Sequence, residues 1–214
     1  MTLTLEARWF GSSPLPEALS AWFDELGPVR TSEQTDLYLP AEDPSFNLKL
    51  RDNHLQIKRR LEGPFRTSLG PTAVGRCEQW VKWSFDVEET PLVWEEDPTE
   101  LWVQVNKTRH QITLSPEEQS ALTTELPTVP PASIEAELTT LGAGGERAWT
   151  LCLEAEGPVG SLVETLMTAA PLLLDDRLPI SLSAEHSFGY VRWLQQLAAV
   201  DARPTPEVRI SPPQ

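Results

Sequence analysis

Cysteine, histidine and long apolar runs are scarce in this chain. Two cysteines, Cys77 and Cys152, are too few for a disulfide scaffold, and with three scattered histidines they compose no zinc-binding pattern. The sequence has no apolar run of the roughly 18 residues that would read as a membrane-spanning helix. The opening MTLTLEARWF has neither the basic start nor the apolar stretch of a secretion signal, so a reducing, cytoplasmic location is expected. Bases are also in deficit. There are 17 Lys and Arg against 32 Asp and Glu, a formal charge of -15, which argues against general nucleic-acid binding because a phosphate backbone demands a basic field. Internal repeats and low-complexity linkers are missing too. One domain over residues 1–200 is expected, followed by a Pro-rich tail, 201–214, that is extended or disordered.

The few bases are not scattered. Asn47 to Leu61, NLKLRDNHLQIKRRL, reads as a β-hairpin turning at Asp52-Asn53. Alternate residues of a strand share a face, so Lys49 and Arg51 lie on one side and Leu48 and Leu50 on the other. On the return strand Gln56, Lys58 and Arg60 share a face; Leu55, Ile57 and Arg59 take the opposite one, and Arg59 should point outward. Other segments follow the same rule. In Thr2 to Phe10, Thr4, Glu6 and Arg8 oppose Leu3, Leu5, Ala7 and Trp9. In Leu101 to Leu114, Lys107 and Arg109 share a parity. Ser133 to Leu141 carries Glu135 and Glu137 on one face. Arg147 to Gly157 places Thr150, Cys152, Glu154 and Glu156 together.

The remaining segments frame these strands. Thr35 to Pro40 is a short strand, Glu62 to Gly75 a loop punctuated by Gly and Pro, and Arg76 to Asp86 a strand. Pro14 to Leu26 has helical apolar spacing and stops at Gly27-Pro28. Ser115 to Leu126 opens with a capping-box signal, Ser115 and Glu118. Val159 to Leu174 is helix-like, with Pro171 expected to bend or end it. Pro179 to Ser183 reads as a last strand, and Ala184 to Val200 as a terminal helix packing Tyr190, Trp193, Leu194 and Leu197 inward. The acidic Glu88 to Glu100 reads as a short helix or solvated loop, and the eight tryptophans as packing residues. His54 and His110 are read as surface residues.

Strands with one apolar face and one face of like-charged pairs suit two arrangements. One is a half-exposed sheet with charges in water and an interaction role. In the other the sheet closes, helices cover the outward apolar face, and the charged face becomes a lumen. Unpartnered buried cations are very costly, so such a lumen must hold water, counter-charges or an anionic ligand. Carboxylate pairs beside the cations suit a divalent metal with oxygen ligands. The fold class that follows is α+β: a closed or nearly closed barrel of about eight mainly antiparallel strands, with helices outside.

The motifs and their order resemble the triphosphate tunnel metalloenzyme superfamily, also called the CYTH domain. The family's opening ExExK is matched by Thr4-Leu5-Glu6-Ala7-Arg8, with Thr4 and Arg8 departing from its Glu and Lys. Its LRLR-type strand and the following strand ending in Lys resemble Leu48 to Arg51 and Leu55 to Lys58. Val105-Asn106-Lys107-Thr108-Arg109 is similar to its V-x-K-x-R strand. Ile134 to Leu138 and Leu153 to Glu156 are similar to its later acidic strand and its ExE metal motif. The resemblance implies that Arg8, Lys49, Arg51, Lys58, Lys107 and Arg109 cradle a triphosphate or polyphosphate. It implies that Glu6, Glu154 and Glu156 bind Mg²⁺ or Mn²⁺, and that Glu6, Arg8 and Glu137 (or Glu135) serve the reaction, hydrolysis of inorganic or another triphosphate. The departures leave open a tunnel that binds polyphosphate or nucleotide without catalysis. The family's late basic residue has Arg192 as its nearest candidate, and Cys152 is expected to line the lumen as a small filler. No nucleic-acid or membrane partner is expected.

Overall fold

The computed structural model describes residues 1–87, 101–114 and 132–201. Its eight strands are β1 (Thr2–Ser12), β2 (Arg30–Leu39), β3 (Phe46–Arg51), β4 (His54–Gly70), β5 (Ala73–Asp86), β6 (Val103–Leu114), β7 (Ser133–Ala143) and β8 (Glu146–Glu156). Three helices lie among the described residues: α1 (Glu17–Glu25), α2 (Val159–Leu173) and α3 (Tyr190–Asp201). The strands close in the order β1-β5-β4-β3-β2-β6-β7-β8, every neighbouring pair antiparallel. Among the described residues no helix is long and apolar enough to cross a membrane. The segments 88–100, 115–131 and 202–214 lie outside the described residues, and with them the expected acidic segment, the capped Ser115 helix and most of the tail.

Closure shows in the burial of single strands. A half-exposed sheet alternates buried with exposed; β1 is instead buried continuously from Thr4 to Phe10. The charged parity faces a lumen, and the apolar parity packs under helices. Leu5, Ala7 and Trp9 of β1 join Ile134, Ala136 and Leu138 of β7 and Leu151, Leu153 and Ala155 of β8 in one core. Leu19, Trp22 and Phe23 of α1 and Leu162, Leu166, Ala169 and Leu173 of α2 cover it, as their helical spacing dictates. A second cluster at one barrel end joins Phe10, Tyr38, Val105 and Leu141 to Phe188, Trp193 and Leu194.

Turn chemistry fixes two registers. Asp52 and Asn53 both have positive φ, 46° and 61°, the conformation of a two-residue type I′ hairpin, which short polar side chains tolerate. Gly144 and Gly145, at φ 57° and 85°, turn β7 into β8.

Three expectations need correction, and that for Pro171 is sharpened. The Glu62 to Gly75 loop is strand for most of its length. β4 and β5 form a long arm, and irregularities between Arg60 and Glu62 and between Glu62 and Phe65 absorb Gly63-Pro64. Pro171 sits inside the last turn of α2, where its missing N–H forfeits only a bond toward the exposed Met167. Pro179 to Ser183 supplies one bridge, Leu182 to Ala73, rather than a strand. The terminal helix starts at Tyr190, not Ala184. Residues 186–188 run extended beside β1, with the Phe10 N–H donating to the His186 carbonyl at 2.9 Å and the Phe188 N–H to the Arg8 carbonyl at 3.0 Å. They take the place of β5, whose pairing with β1 stops at Ala7–Cys77. This short pairing anchors α3 across the barrel end.

Candidate functional site

The lumen contains a cavity of about 390 Å³, within the range of small-molecule sites. Eight bases line it: Arg8, Arg30, Lys49, Arg51, Lys58, Lys82, Lys107 and Arg109. The carboxylates on its wall are Glu6, Glu135, Glu137, Glu154 and Glu156. Nearly half of the chain's 17 Lys and Arg therefore converge on one cavity of an acidic protein. The charge pairs read from the sequence are on this wall except for Arg60, which shares the Lys58 parity but pairs with Glu78 away from the cavity. Lys49, Lys58 and Lys107 share it, so they are not three independent solvent-exposed lysines. Arg59, of the other parity, is exposed.

Three ion-pair groups hold the lumen together. In the first, Asp36 is fully buried and accepts from Arg51 Nε at 2.6 Å and Nη2 at 2.8 Å, from Lys107 Nζ at 2.6 Å and from Lys49 Nζ at 3.3 Å. Burial alone would raise the Asp36 pKa; Arg51, Lys49 and Lys107 outweigh it and hold the carboxyl well below its ordinary range. Lys107 also donates to Tyr38 Oη at 2.8 Å, and its ammonium lies 3.8 Å from the Tyr190 ring centroid and 4.9 Å from that of Tyr38. Burial brings its pKa down to about 8 against the opposing pull of Asp36.

In the second group, Glu137 accepts from Arg8 Nη1 at 3.1 Å and from Arg109 Nε at 2.6 Å, with Arg109 Nη2 also close against it. Burial opposes ionisation of Glu137, but Arg8 and Arg109 hold its pKa well down. Glu135, 3.7 Å from Arg109, is pushed up by burial. Arg8 spends its second bond on Thr150 Oγ1 at 3.1 Å; its Nε is buried without a partner.

The third group is Lys58 with Glu6 at 3.2 Å and Glu154 at 3.6 Å. The two carboxyls lie close together, so the charge on Glu6 disfavours a second charge on Glu154. Burial pushes Glu6 up, yet Lys58 and Arg8 bring it below its usual value; Glu154 is raised by burial, with Lys58 opposing and Glu6 adding. A carboxyl pair of this kind fits a divalent cation, which compensates both charges through an oxygen of each. One oxygen from each, together with Cys152 Sγ, lie within 4.8 Å of one another. Glu156 sits exposed at the rim, outside that group.

Some positions behave differently from the residues around them. Thr4 is fully buried on the lumen parity, its hydroxyl without a hydrogen-bond partner. Arg192 is exposed, its guanidinium 5.4 Å from the Phe188 ring and away from the cavity wall. His54 is exposed and pairs with Asp86 at 2.7 Å. Three contributors went unread in the sequence: Asp36, Tyr38 and Tyr190 as the closure of one lumen end. Tyr38 stacks on Tyr190 at 5.5 Å, and Gly189, Tyr190 and Val191 line the cavity. Asp36 and Tyr38 share one parity of TDLYLP, the available clue.

No protein-family model matches the chain, and no curated protein matches it. Among solved structures it is similar to the PH1819 protein from Pyrococcus horikoshii OT3. That likeness has 11% identity, covers 91% of this chain and 99% of that one, and has a TM-score of 0.48.

Proposed function

We propose that the lumen binds a triphosphate-type anion, inorganic tripolyphosphate first, and hydrolyses it with the help of a divalent cation. The observation that carries this is the convergence of eight bases on one cavity in a chain of formal charge -15. The resemblance to the triphosphate tunnel metalloenzyme superfamily points the same way. Arg51, Lys58 and Arg109 are the more accessible cations and would meet the phosphate oxygens, with Arg8 and Lys49 deeper. Glu137, kept ionised, would aim the Arg8 and Arg109 forks, the geometry that suits phosphate.

Glu6 and Glu154, with Glu156 at the rim, would hold Mg²⁺ or Mn²⁺, which would neutralise charge on the phosphate oxygens. In the reaction a water oxygen bonds to the terminal phosphorus, the bridging P–O bond breaks, and the departing diphosphate keeps its electron pair. Glu135 is the better proton acceptor of the two β7 acids, because burial raises its basicity whereas Arg8 and Arg109 lower that of Glu137.

One observation favours a second reading, binding without turnover. Thr4 and Arg8 stand where the resemblance expects a carboxylate and a lysine, and Arg8 is already committed to Glu137 and Thr150. Phosphate release from tripolyphosphate, pyrophosphate and nucleotides, with and without Mg²⁺ or Mn²⁺, separates the two. Metal-dependent release supports hydrolysis. Thermal stabilisation by tripolyphosphate without release supports binding alone. A melting temperature indifferent to every phosphate ligand overturns both.

A further inference from the structure

Cys152 gives the carboxylate pair a donor that an all-oxygen magnesium site lacks. It is 1% exposed, and strand register fixes its place: Glu6 lies opposite Glu154, and Arg8 opposite Cys152. The thiol is thus on the lumen face, two residues from Glu154 and diagonal to Glu6. The three donor atoms fall within 4.8 Å of one another before any ion draws them in. Bond lengths of about 2.3 Å to sulfur and about 2.1 Å to oxygen put tetrahedral donors roughly 3.5 Å apart, a closure that carboxylate rotamers supply.

One further feature points to an ion. Thr4, one rung along β1 on the same face, keeps a wholly buried hydroxyl without a partner, where buried polar groups almost always have one. Water on a bound cation would satisfy it. The Lys58 ammonium, 3.2 Å from Glu6 and 3.6 Å from Glu154, is the counter-charge that a bound cation would displace.

Donor chemistry then decides the class of ion. Mg²⁺ takes hard oxygen ligands and dehydrates reluctantly, whereas thiolate selects softer ions. We propose that Glu6, Cys152 and Glu154 form a mixed oxygen–sulfur site for a divalent transition ion of the zinc class, with the Cys152 thiolate as a ligand. As the sulfur–metal bond forms, the S–H proton passes to solvent. The proposal rests on the reading that the lumen holds a divalent cation, and it replaces Mg²⁺ with a thiophilic ion as the preferred occupant.

The test is titration of the purified, metal-stripped chain with Co²⁺, without phosphate. One equivalent should produce a sulfur-to-cobalt charge-transfer band in the near ultraviolet. Zn²⁺ should bleach it, and excess Mg²⁺ should not. Cys152→Ser and Cys152→Ala should lack the band, Cys77→Ser should keep it, and Glu154→Gln should weaken Co²⁺ binding at least tenfold. Far-ultraviolet circular dichroism of the metal-free variants separates loss of the ligand from loss of the fold. Should one Cys152 variant misfold, the other and Glu154→Gln carry the test. No band, or a band that survives in folded Cys152→Ser, overturns the proposal. So does displacement by Mg²⁺. The readout is independent of turnover. A Cys152-dependent band without phosphate release leaves the site standing and removes the hydrolysis. Mg²⁺-dependent release without the band does the reverse.

Discussion

Asp36 shows how one side chain sets the state of the lumen. Three cations meet its carboxylate, and its own residue is completely buried. Removing one partner from a buried ion cluster leaves uncompensated charge, a loss of 3–5 kcal/mol in other systems. Asp36→Asn is therefore expected to lower unfolding free energy at pH 7 by about 3 kcal/mol, measured in urea. The pH dependence has a definite sign. A carboxyl whose folded pKa is depressed stabilises above its unfolded value of about 4, and that stability drains away as pH falls toward the folded value. The gap between wild type and Asp36→Asn should narrow steadily below about pH 5. A gap of constant size down to pH 2 would show that the folded lumen does not depress the Asp36 pKa. Asp36 was hard to read in the sequence for a physical reason. The lumen was legible through charge pairs two residues apart, such as Lys49 with Arg51, and a lone acid followed by an aromatic makes no such pair. Its three partners lie on β3 and β6, the strands that flank β2, so the cluster appears only once the strand order is known.

At the scale of single elements, the β4–β5 arm and α3 are where local signals and tertiary structure diverge. Gly63-Pro64 reads locally as loop, yet the ladder resumes beyond it because the irregular register lets β4 carry extra residues opposite β5. Gly63 is needed there. Its φ is 93°, and an added Cβ would stand 2.5 Å from the Cys77 carbonyl oxygen. Gly63→Ala should destabilise by more than about 1 kcal/mol, whereas Gly144→Ala, with open space around its Cβ, should cost less. Equal losses in thermal or urea unfolding would mean that the backbone conformation alone matters. α3 was legible as a helix from its apolar spacing, but its role as the closure of a lumen was not, since Tyr190 and Trp193 carry the same helical period as any core residue. Trp193 is buried with Phe10 and Phe188, their rings 5.7 Å apart for Phe10. Trp193→Ala should cost about 3–5 kcal/mol and loosen the Tyr190 end first, read as amide exchange rising in residues 186–194 ahead of β7 and β8. Uniform exchange across the barrel would show that α3 is not a separable closure.

For the whole molecule, the decisive property is the separation of charge: bases gathered inside, acids in excess elsewhere. The two regions act over different distances. Within roughly a Debye length of the surface, about 10 Å at 0.1 M salt, an approaching polyanion feels the net charge of -15 and is repelled. Within the lumen it meets Arg51, Lys58 and Arg109, which are shielded from salt by partial burial. Added salt should then relieve the long-range repulsion while weakening the short-range grip. Tripolyphosphate affinity is expected to fall with NaCl, with the fall carried by faster dissociation and an association rate that holds steady or rises. Stopped-flow binding in metal-free buffer at several salt concentrations measures both rates. Arg109→Ala should weaken affinity by roughly 10- to 100-fold, since a charge-assisted bond is worth about 1.5–3 kcal/mol, and chiefly through dissociation. A steep drop in association rate with salt would mean that the outer bases of the cavity wall, the exposed Arg30 and the half-buried Lys82, steer the ligand despite the acidic exterior.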